Sequence, residues 1–95
     1  MPQVVIPISV AGNQVACNPD SVQLNRGDTI RWNYNGPFAV DFGLATPFPQ
    51  SRYNGNGQVV TPAVRPDAAS GTYKYAVAVY DGSQVLIADP RVIIP

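Results

Sequence analysis

The side chains that carry out most protein chemistry are scarce in this chain of 95 residues. It contains no histidine, no glutamate and one cysteine, Cys17, so a thiol nucleophile would lack a histidine as its general base. The six aspartates are dispersed, and none stands in the alternating Asp-x-Asp order typical of a calcium loop. The sequence therefore predicts a protein that is not an enzyme and that has no metal site and no cofactor.

The charges of the chain balance, because six lysines and arginines offset the six aspartates. Without a basic excess to neutralise phosphates, we expect neither nucleic acid nor an acidic membrane surface as a partner. A chain without net charge also meets little electrostatic repulsion when it associates. The composition thus favours a protein partner, which includes a second copy of this chain in a homodimer.

The sequence shows no basic and apolar leader after Met1 and no apolar run of membrane-spanning length. A single cysteine cannot form an internal disulfide bond, which favours the cytoplasm. A secreted chain whose signal peptide has been removed stays open as the alternative.

The composition is typical of strands and turns, with ten prolines, eight glycines and only three leucines. Short runs of alternating apolar and polar residues are separated by turn residues along the whole chain. This pattern predicts an all-β fold, a Greek-key antiparallel β-sandwich of seven or eight strands that forms one domain over residues 1–95.

Four expectations follow for individual strands. Pro7 cannot donate a ladder hydrogen bond, so the first strand should lie at a sheet edge. Asn35-Gly36 suits a hairpin turn. Residues 72–80 read as one strand, whose small outward residues Ala76 and Ala78 should be covered by a loop or a second subunit. Residues 92–94 form an edge without a guarding proline, which could pair across a dimer.

Three segments together resemble the cupredoxin family in their order and spacing. Residues 20–34 resemble its strand, Gly-Asp turn and Trp-bearing strand, with Gly27-Asp28 and Trp32 in those places. Residues 36–42 resemble the segment that carries the first copper-binding histidine. Gly71-Thr-Tyr-Lys-Tyr75, followed by the turn Asp81-Gly82, resembles the strand that enters the second ligand loop. The resemblance implies a cupredoxin-like β-sandwich.

The resemblance does not extend to copper. The family's site uses two histidines, one cysteine and usually one methionine. Those roles fall near Phe38, Val77, Tyr80 and Val85, and none of these side chains can bind copper in that manner. The resemblance therefore implies a metal-free scaffold, and the end that would hold the metal is either packed core or a contact surface.

An immunoglobulin-like structural domain is the alternative fold. Residues 67–73 have the spacing of a tyrosine corner, in which the hydroxyl of Tyr73 would bond back to the main chain. The disulfide partners of immunoglobulin domains are lacking. Both interpretations agree on a β-sandwich.

The long connection over residues 43–58 is the best candidate for a binding surface, because long loops are often functional. It contains Leu44, Phe48, Arg52 and Tyr53, a mixture typical of interaction hot spots. In the alternative interpretation, Leu44 and Phe48 fold back and plug the open end of the sandwich. The predicted partner-binding residues are Phe38, Phe48, Arg52, Tyr53 and Tyr80.

Two other binding functions are possible from the residue types alone. Trp32, Tyr34 and Tyr53 could act as stacking platforms of a small-molecule or carbohydrate-binding module. Arg26-Gly27-Asp28 spells an integrin-recognition tripeptide, although Gly-Asp before a strand is also what a tight turn requires. For the tripeptide the sequence favours the turn.

Overall fold

The computed structural model describes residues 2–80 and 82–95 and confirms an all-β fold. Within these residues there is no helix, and so none that is long and apolar enough to cross a bilayer. Asp81, in the predicted turn Asp81-Gly82, lies outside the described residues. The strands are β1 (Gln3–Ala11), β2 (Gln14–Cys17), β3 (Ser21–Gln23), β4 (Thr29–Asp41), β5 (Arg52–Val60), β6 (Gly71–Lys74), β7 (Ala76–Tyr80), β8 (Val85–Ala88) and β9 (Arg91–Ile94).

The strands form two sheets, as a β-sandwich requires. The larger sheet has the order β2-β1-β4-β7-β8, and β5 also pairs with β4. The smaller sheet has the order β3-β9-β6. The described chain crosses between the sheets five times, over residues 18–20, 24–28 and 61–70, at Tyr75, and at Asp89-Pro90.

Two strand pairs are parallel, although the sequence predicted an antiparallel arrangement. β1 runs parallel to β4, and β3 runs parallel to β9. The other pairs between the strands listed above are antiparallel. Alternation of apolar residues indicates which face of a strand is buried, but it contains no information on the direction of the neighbouring strand.

The prediction of the sheet edges is wrong at both ends of the chain. β1 lies between β2 and β4, and Pro7 stands where its pairing changes from β4 (Gln3–Pro7) to β2 (Ile8–Ala11). A missing N–H is tolerated there because neither ladder continues past this point. β9 lies between β3 and β6, so both of its edges are occupied and it cannot pair across a dimer.

β4 continues through the predicted hairpin at Asn35-Gly36, so that prediction is wrong. Gly36 is not among the glycines with positive φ, which the tight hairpin turn requires. The register against β5 instead shifts between Asn33 and Pro37, as in a β-bulge. The hairpin joins β4 to β5, and the predicted loop of residues 43–58 therefore shortens to residues 42–51.

The predicted strand of residues 72–80 is divided at Tyr75. β6 pairs with β9 in the smaller sheet, and β7 pairs with β4 and β8 in the larger one. The N–H of Tyr75 donates to the carbonyl oxygen of Pro90 (3.0 Å) at this crossing. The predicted alternation holds across the break, because Tyr75, Val77 and Val79 are all buried.

The core contains a cluster of aromatic side chains with neighbouring ring centroids 4.8–6.4 Å apart. Ring pairs at such distances add to the stabilisation that burial of the rings provides. We call this group the aromatic cluster: Trp32, Phe42, Phe48, Tyr53 and Tyr75.

Candidate functional site

The five predicted partner-binding residues do not lie on one surface. Phe38, Phe48 and Tyr53 are buried, with at most 5% of each residue exposed. Arg52 is exposed and lies 3.4 Å from the carboxylate of Asp41. Tyr80 is 56% exposed at the end of β7. In this conformation only Arg52 and Tyr80 can present their side chains to a partner.

Phe48 folds back into the core, as the plug interpretation predicts. Its ring lies 5.5 Å from that of Phe42 and 6.3 Å from that of Tyr53. The hydroxyl of Thr46 accepts a hydrogen bond from the N–H of Phe48 (3.1 Å) and holds the loop in place. Leu44, which the same interpretation placed in the core, is instead fully exposed.

A set of apolar side chains lies on the outer surface of the larger sheet. Ala39 stands opposite Ala78, and Ala78 stands opposite Ile87 on β8. In the next row Tyr80 stands opposite Val85. Because residues two apart on a strand share a face, these positions form one surface. We call it the apolar face: Pro37, Ala39, Ala78, Tyr80, Val85 and Ile87.

The apolar face is exposed where its side chains are largest. Val85 is 63% and Ile87 is 67% exposed, and Ala78 is only partly buried. A shallow groove of about 340 Å³ lies on this face and is lined by residues of β4, β5, β7 and β8, Tyr80 and Val85 among them. Neither the loop of residues 42–51 nor another described segment covers Ala78. Cover by a second subunit, the other possibility that the sequence predicts for Ala76 and Ala78, stays a prediction.

The four positions that the resemblance assigned to copper ligands divide between the two sides of the larger sheet. Phe38 and Val77 are buried and belong to the core. Tyr80 and Val85 belong to the apolar face. Both predicted outcomes, packed core and exposed surface, therefore occur side by side. The described residues contain no group of three or more histidine, cysteine or acidic side chains that could hold a metal ion.

The tyrosine corner predicted from residues 67–73 is present. The hydroxyl of Tyr73 donates to the carbonyl oxygen of Ala69 (2.6 Å). This bond joins the start of β6 to the preceding loop, as expected in a β-sandwich of either kind. The motif is structural and contributes no binding group.

The tripeptide Arg26-Gly27-Asp28 forms a structural turn, as predicted. The Arg26 guanidinium donates to the carbonyl oxygens of Ala68 (2.7 Å) and Pro95 (3.3 Å). Asp28 is buried, and its carboxylate accepts a hydrogen bond from the N–H of Asn25 (2.9 Å). Neither charge is available at a loop tip, which integrin recognition requires.

The stacking platform predicted for a carbohydrate ligand is not exposed. Trp32 is fully buried, and its indole Nε1–H donates to the hydroxyl of Tyr75 (3.2 Å). Tyr53 is also buried, and its hydroxyl donates to the carbonyl oxygen of Gln50 (3.0 Å). Tyr34 alone is partly exposed. These rings stabilise the core and offer no common surface for a sugar.

Cys17 is a buried thiol whose surroundings disfavour the thiolate. Burial, with a smaller contribution from the Asp20 carboxylate, raises the pKa of Cys17 from 9.0 to about 11. The thiolate is the reactive form of cysteine. The structure therefore assigns Cys17 a packing role at neutral pH.

The pKa of Cys17 predicts a loss of stability in alkaline solution. Between pH 9 and 11 the unfolded thiol has lost its proton and the folded thiol has not, so the free energy of unfolding should fall by about 3 kcal/mol. Burial also raises the pKa of Tyr75, which acts in the same direction at higher pH. Urea unfolding at pH 8, 9, 10 and 11 measures the decline. Cys17→Ala should show a shallower decline, and equal slopes would contradict the assignment.

No family model matches the chain. No curated protein matches it either. The candidate site is therefore defined by its geometry alone: an apolar face on β4, β7 and β8 with a shallow groove across it.

Proposed function

We propose that this chain is a metal-free, cupredoxin-like β-sandwich module without enzymatic activity that acts by protein–protein contact, including self-association. The observation that carries the proposal is the apolar face, on which Tyr80, Val85 and Ile87 are each more than half exposed. Monomeric soluble proteins rarely expose contiguous apolar patches, and the larger patches mark interaction sites.

The charges around the apolar face support contact with a protein. Its two rows contain no charged side chain, and Asp41 and Arg52, which stand opposite each other beside the row of Ala39, form an ion pair (3.4 Å). An apolar centre bordered by polar groups is the common arrangement of protein interfaces. The exposed tyrosine adds a residue type that interface cores favour.

The cupredoxin-like part of the proposal is supported by where the resembling segments lie. Gly27 has a positive φ of 94°, and the Gly27-Asp28 turn leads directly into β4, which carries Trp32. Gly71 begins β6 at the resembling Gly-Thr-Tyr run. Two of the three resembling segments thus lie in a turn and strands of a two-sheet fold, which supports the proposal. The third, residues 36–42, continues β4 without a hairpin.

A charge placed in the apolar face tests the contact function. Ile87→Lys should abolish retention of partner proteins from an extract of the source cells, measured quantitatively on immobilised chain. Burying a lysine against an apolar partner surface is strongly unfavourable. Val5→Lys is the matched control, because Val5 is 39% exposed on β1, outside the apolar face. The proposal requires at least one protein that the parent chain and Val5→Lys both retain and that Ile87→Lys does not retain. If there is no such protein, the proposal is wrong.

A small-molecule-binding module is the second candidate, and the groove of about 340 Å³ favours it. Its volume lies within the range of small-ligand sites, and its lining is mostly apolar. Titration with a small aromatic probe, followed by NMR shifts of the Tyr80 and Val85 amides, tests this candidate. Saturable shifts confined to the groove would support it, and their absence would remove it.

A further inference from the structure

Among the described residues, β5 is the longest strand with a free edge along its whole length. It pairs with β4 on one side only, through residues 52–56 and 58–60. The other strands at the ends of the two sheets, β2, β3, β6 and β8, have three or four residues each. Within the described residues, no hydrogen bond from a loop or a side chain reaches the main chain of β5 along its outer edge.

The hydrogen-bond pattern shows which main-chain groups of β5 are free. The N–H of Phe42 donates to the carbonyl oxygen of Ser51 (2.7 Å), so the main chains of this facing pair are directed toward each other. Such pairs alternate along an antiparallel ladder. The main chain of Tyr53 and Gly55 is therefore directed toward β4. That of Arg52, Asn54 and Asn56 is directed away from the sheet.

Over residues 52–56 this edge lacks the features that prevent pairing between sheets. Native edges are blunted by shortness, proline, lysine, β-bulges or inward-pointing charges. The sequence of β5 contains no proline and no lysine, and its one charge, Arg52, is offset by Asp41 at 3.4 Å. At Gly57, φ is 91°, which limits the regular part of the edge to residues 52–56. An extended strand can pair with those five residues.

We infer that the outer edge of β5 binds a second copy of this chain, antiparallel, about a two-fold axis at Asn54. This inference rests on the self-association that the proposed function includes and names its surface. The axis places Asn54 opposite its own copy and Arg52 opposite Asn56 of the second copy. The three outward residues of each chain then form three hydrogen-bonded pairs, each of which exchanges two hydrogen bonds.

The charges of the edge select a second copy as the occupant. With the axis at Asn54, no two like charges stand directly opposite each other, because each Arg52 faces a neutral asparagine. The chain as a whole has no net charge, so long-range repulsion does not oppose the approach. The paired edge is short, and we therefore expect a weak dimer.

Sedimentation equilibrium of the purified chain tests the inference, over about 10 μM to 1 mM protein, the range in which weak dimers dissociate. The mass should rise from 10.1 kDa toward twice that value. Asn54→Lys and Asn54→Asp should each stay at the monomer mass, because each places like charges opposite one another on the axis. An equimolar mixture of the two variants should recover the dimer.

The controls separate this inference from the proposed function. Ile87→Lys leaves the β5 edge unchanged and should dimerise like the parent chain. A parent chain that stays monomeric at every concentration overturns the inference, as do Asn54 variants that dimerise unmixed or a mixture that stays monomeric. Dissociation by Ile87→Lys alone would assign self-association to the apolar face. Whether Ile87→Lys still retains partner proteins tests the proposed contact function and has no bearing on the dimer at β5.

Discussion

Replacing Phe48 with alanine should lower the free energy of unfolding by about 3 to 5 kcal/mol, the usual cost of removing a fully buried phenylalanine. Phe48 has no exposed surface, and its ring contacts those of Phe42 and Tyr53. Its removal would leave a cavity beneath the loop of residues 42–51. Since the same loop is tied to Arg65 through the carbonyl oxygen of Thr46 (2.8 Å), it cannot easily collapse to fill that space.

Leu44→Ala is the matched control for Phe48→Ala. Leu44 lies four residues earlier in the same loop and is fully exposed, so its replacement should change stability by about 0.5 kcal/mol or less. Urea unfolding followed by circular dichroism measures both variants. Equal and small effects would show that Phe48 is not a plug and would return it to the candidate contact surface.

The fold could be predicted from the sequence where one face of a strand is buried. Ile30 and Trp32 alternate with polar residues, and the structure buries both. Tyr75, Val77 and Val79 behave in the same way. Burial of one face imposes a period of two on the residue types, and this period is visible without knowledge of the neighbouring strands.

β5 could not be predicted because its sequence lacks that period. Asn54, Asn56 and the glycines between and after them are typical of loops, and only Tyr53 and Val59 indicate a buried face. The strand forms because it pairs with β4, and the residue types within residues 52–60 do not reveal that pairing. For this reason the sequence predicts a loop position for Tyr53, whereas the structure places it in the aromatic cluster.

The sequence predicts only part of the apolar face. It predicts Tyr80 as a contact residue, an outer position that needs a cover for Ala78, and core or contact surface for Val85, but it does not single out Ile87. The signal for Ile87 is present in three successive large apolar residues, Val85-Leu86-Ile87. Because side chains alternate across a strand, such a run must direct apolar residues to both faces. Only the structure shows that Leu86 is buried and that its neighbours are exposed.

Replacing Trp32 with alanine should have the largest effect of any single substitution considered for this chain, a loss of about 4 to 5 kcal/mol. Trp32 is fully buried and contacts three other rings of the aromatic cluster: Phe42, Tyr53 and Tyr75. A domain of this size is stable by about 5 to 15 kcal/mol, so the variant should be close to unfolding at room temperature. Circular dichroism during urea unfolding measures the loss without relying on the removed indole.

Two milder variants separate ring packing from the buried hydrogen bond. Tyr75→Phe keeps both rings but leaves the indole Nε1–H of Trp32 without its acceptor, at a cost of about 1 to 3 kcal/mol. Trp32→Phe removes the donor and part of the ring together. In the double variant the unpaired donor is absent, so its loss should be smaller than the sum of the single losses.

The same series decides whether Trp32 has a role in ligand binding. If Trp32→Ala cost less than about 1 kcal/mol, the indole would not be a fully buried core side chain, because such a side chain cannot be removed at so small a cost. The stacking platform of a carbohydrate-binding module would then regain its principal residue. A loss of the expected size, together with subadditivity between Trp32→Phe and Tyr75→Phe, assigns both rings to the core. The outer surface of the larger sheet and the free edge of β5 would then remain as the surfaces proposed for protein contact.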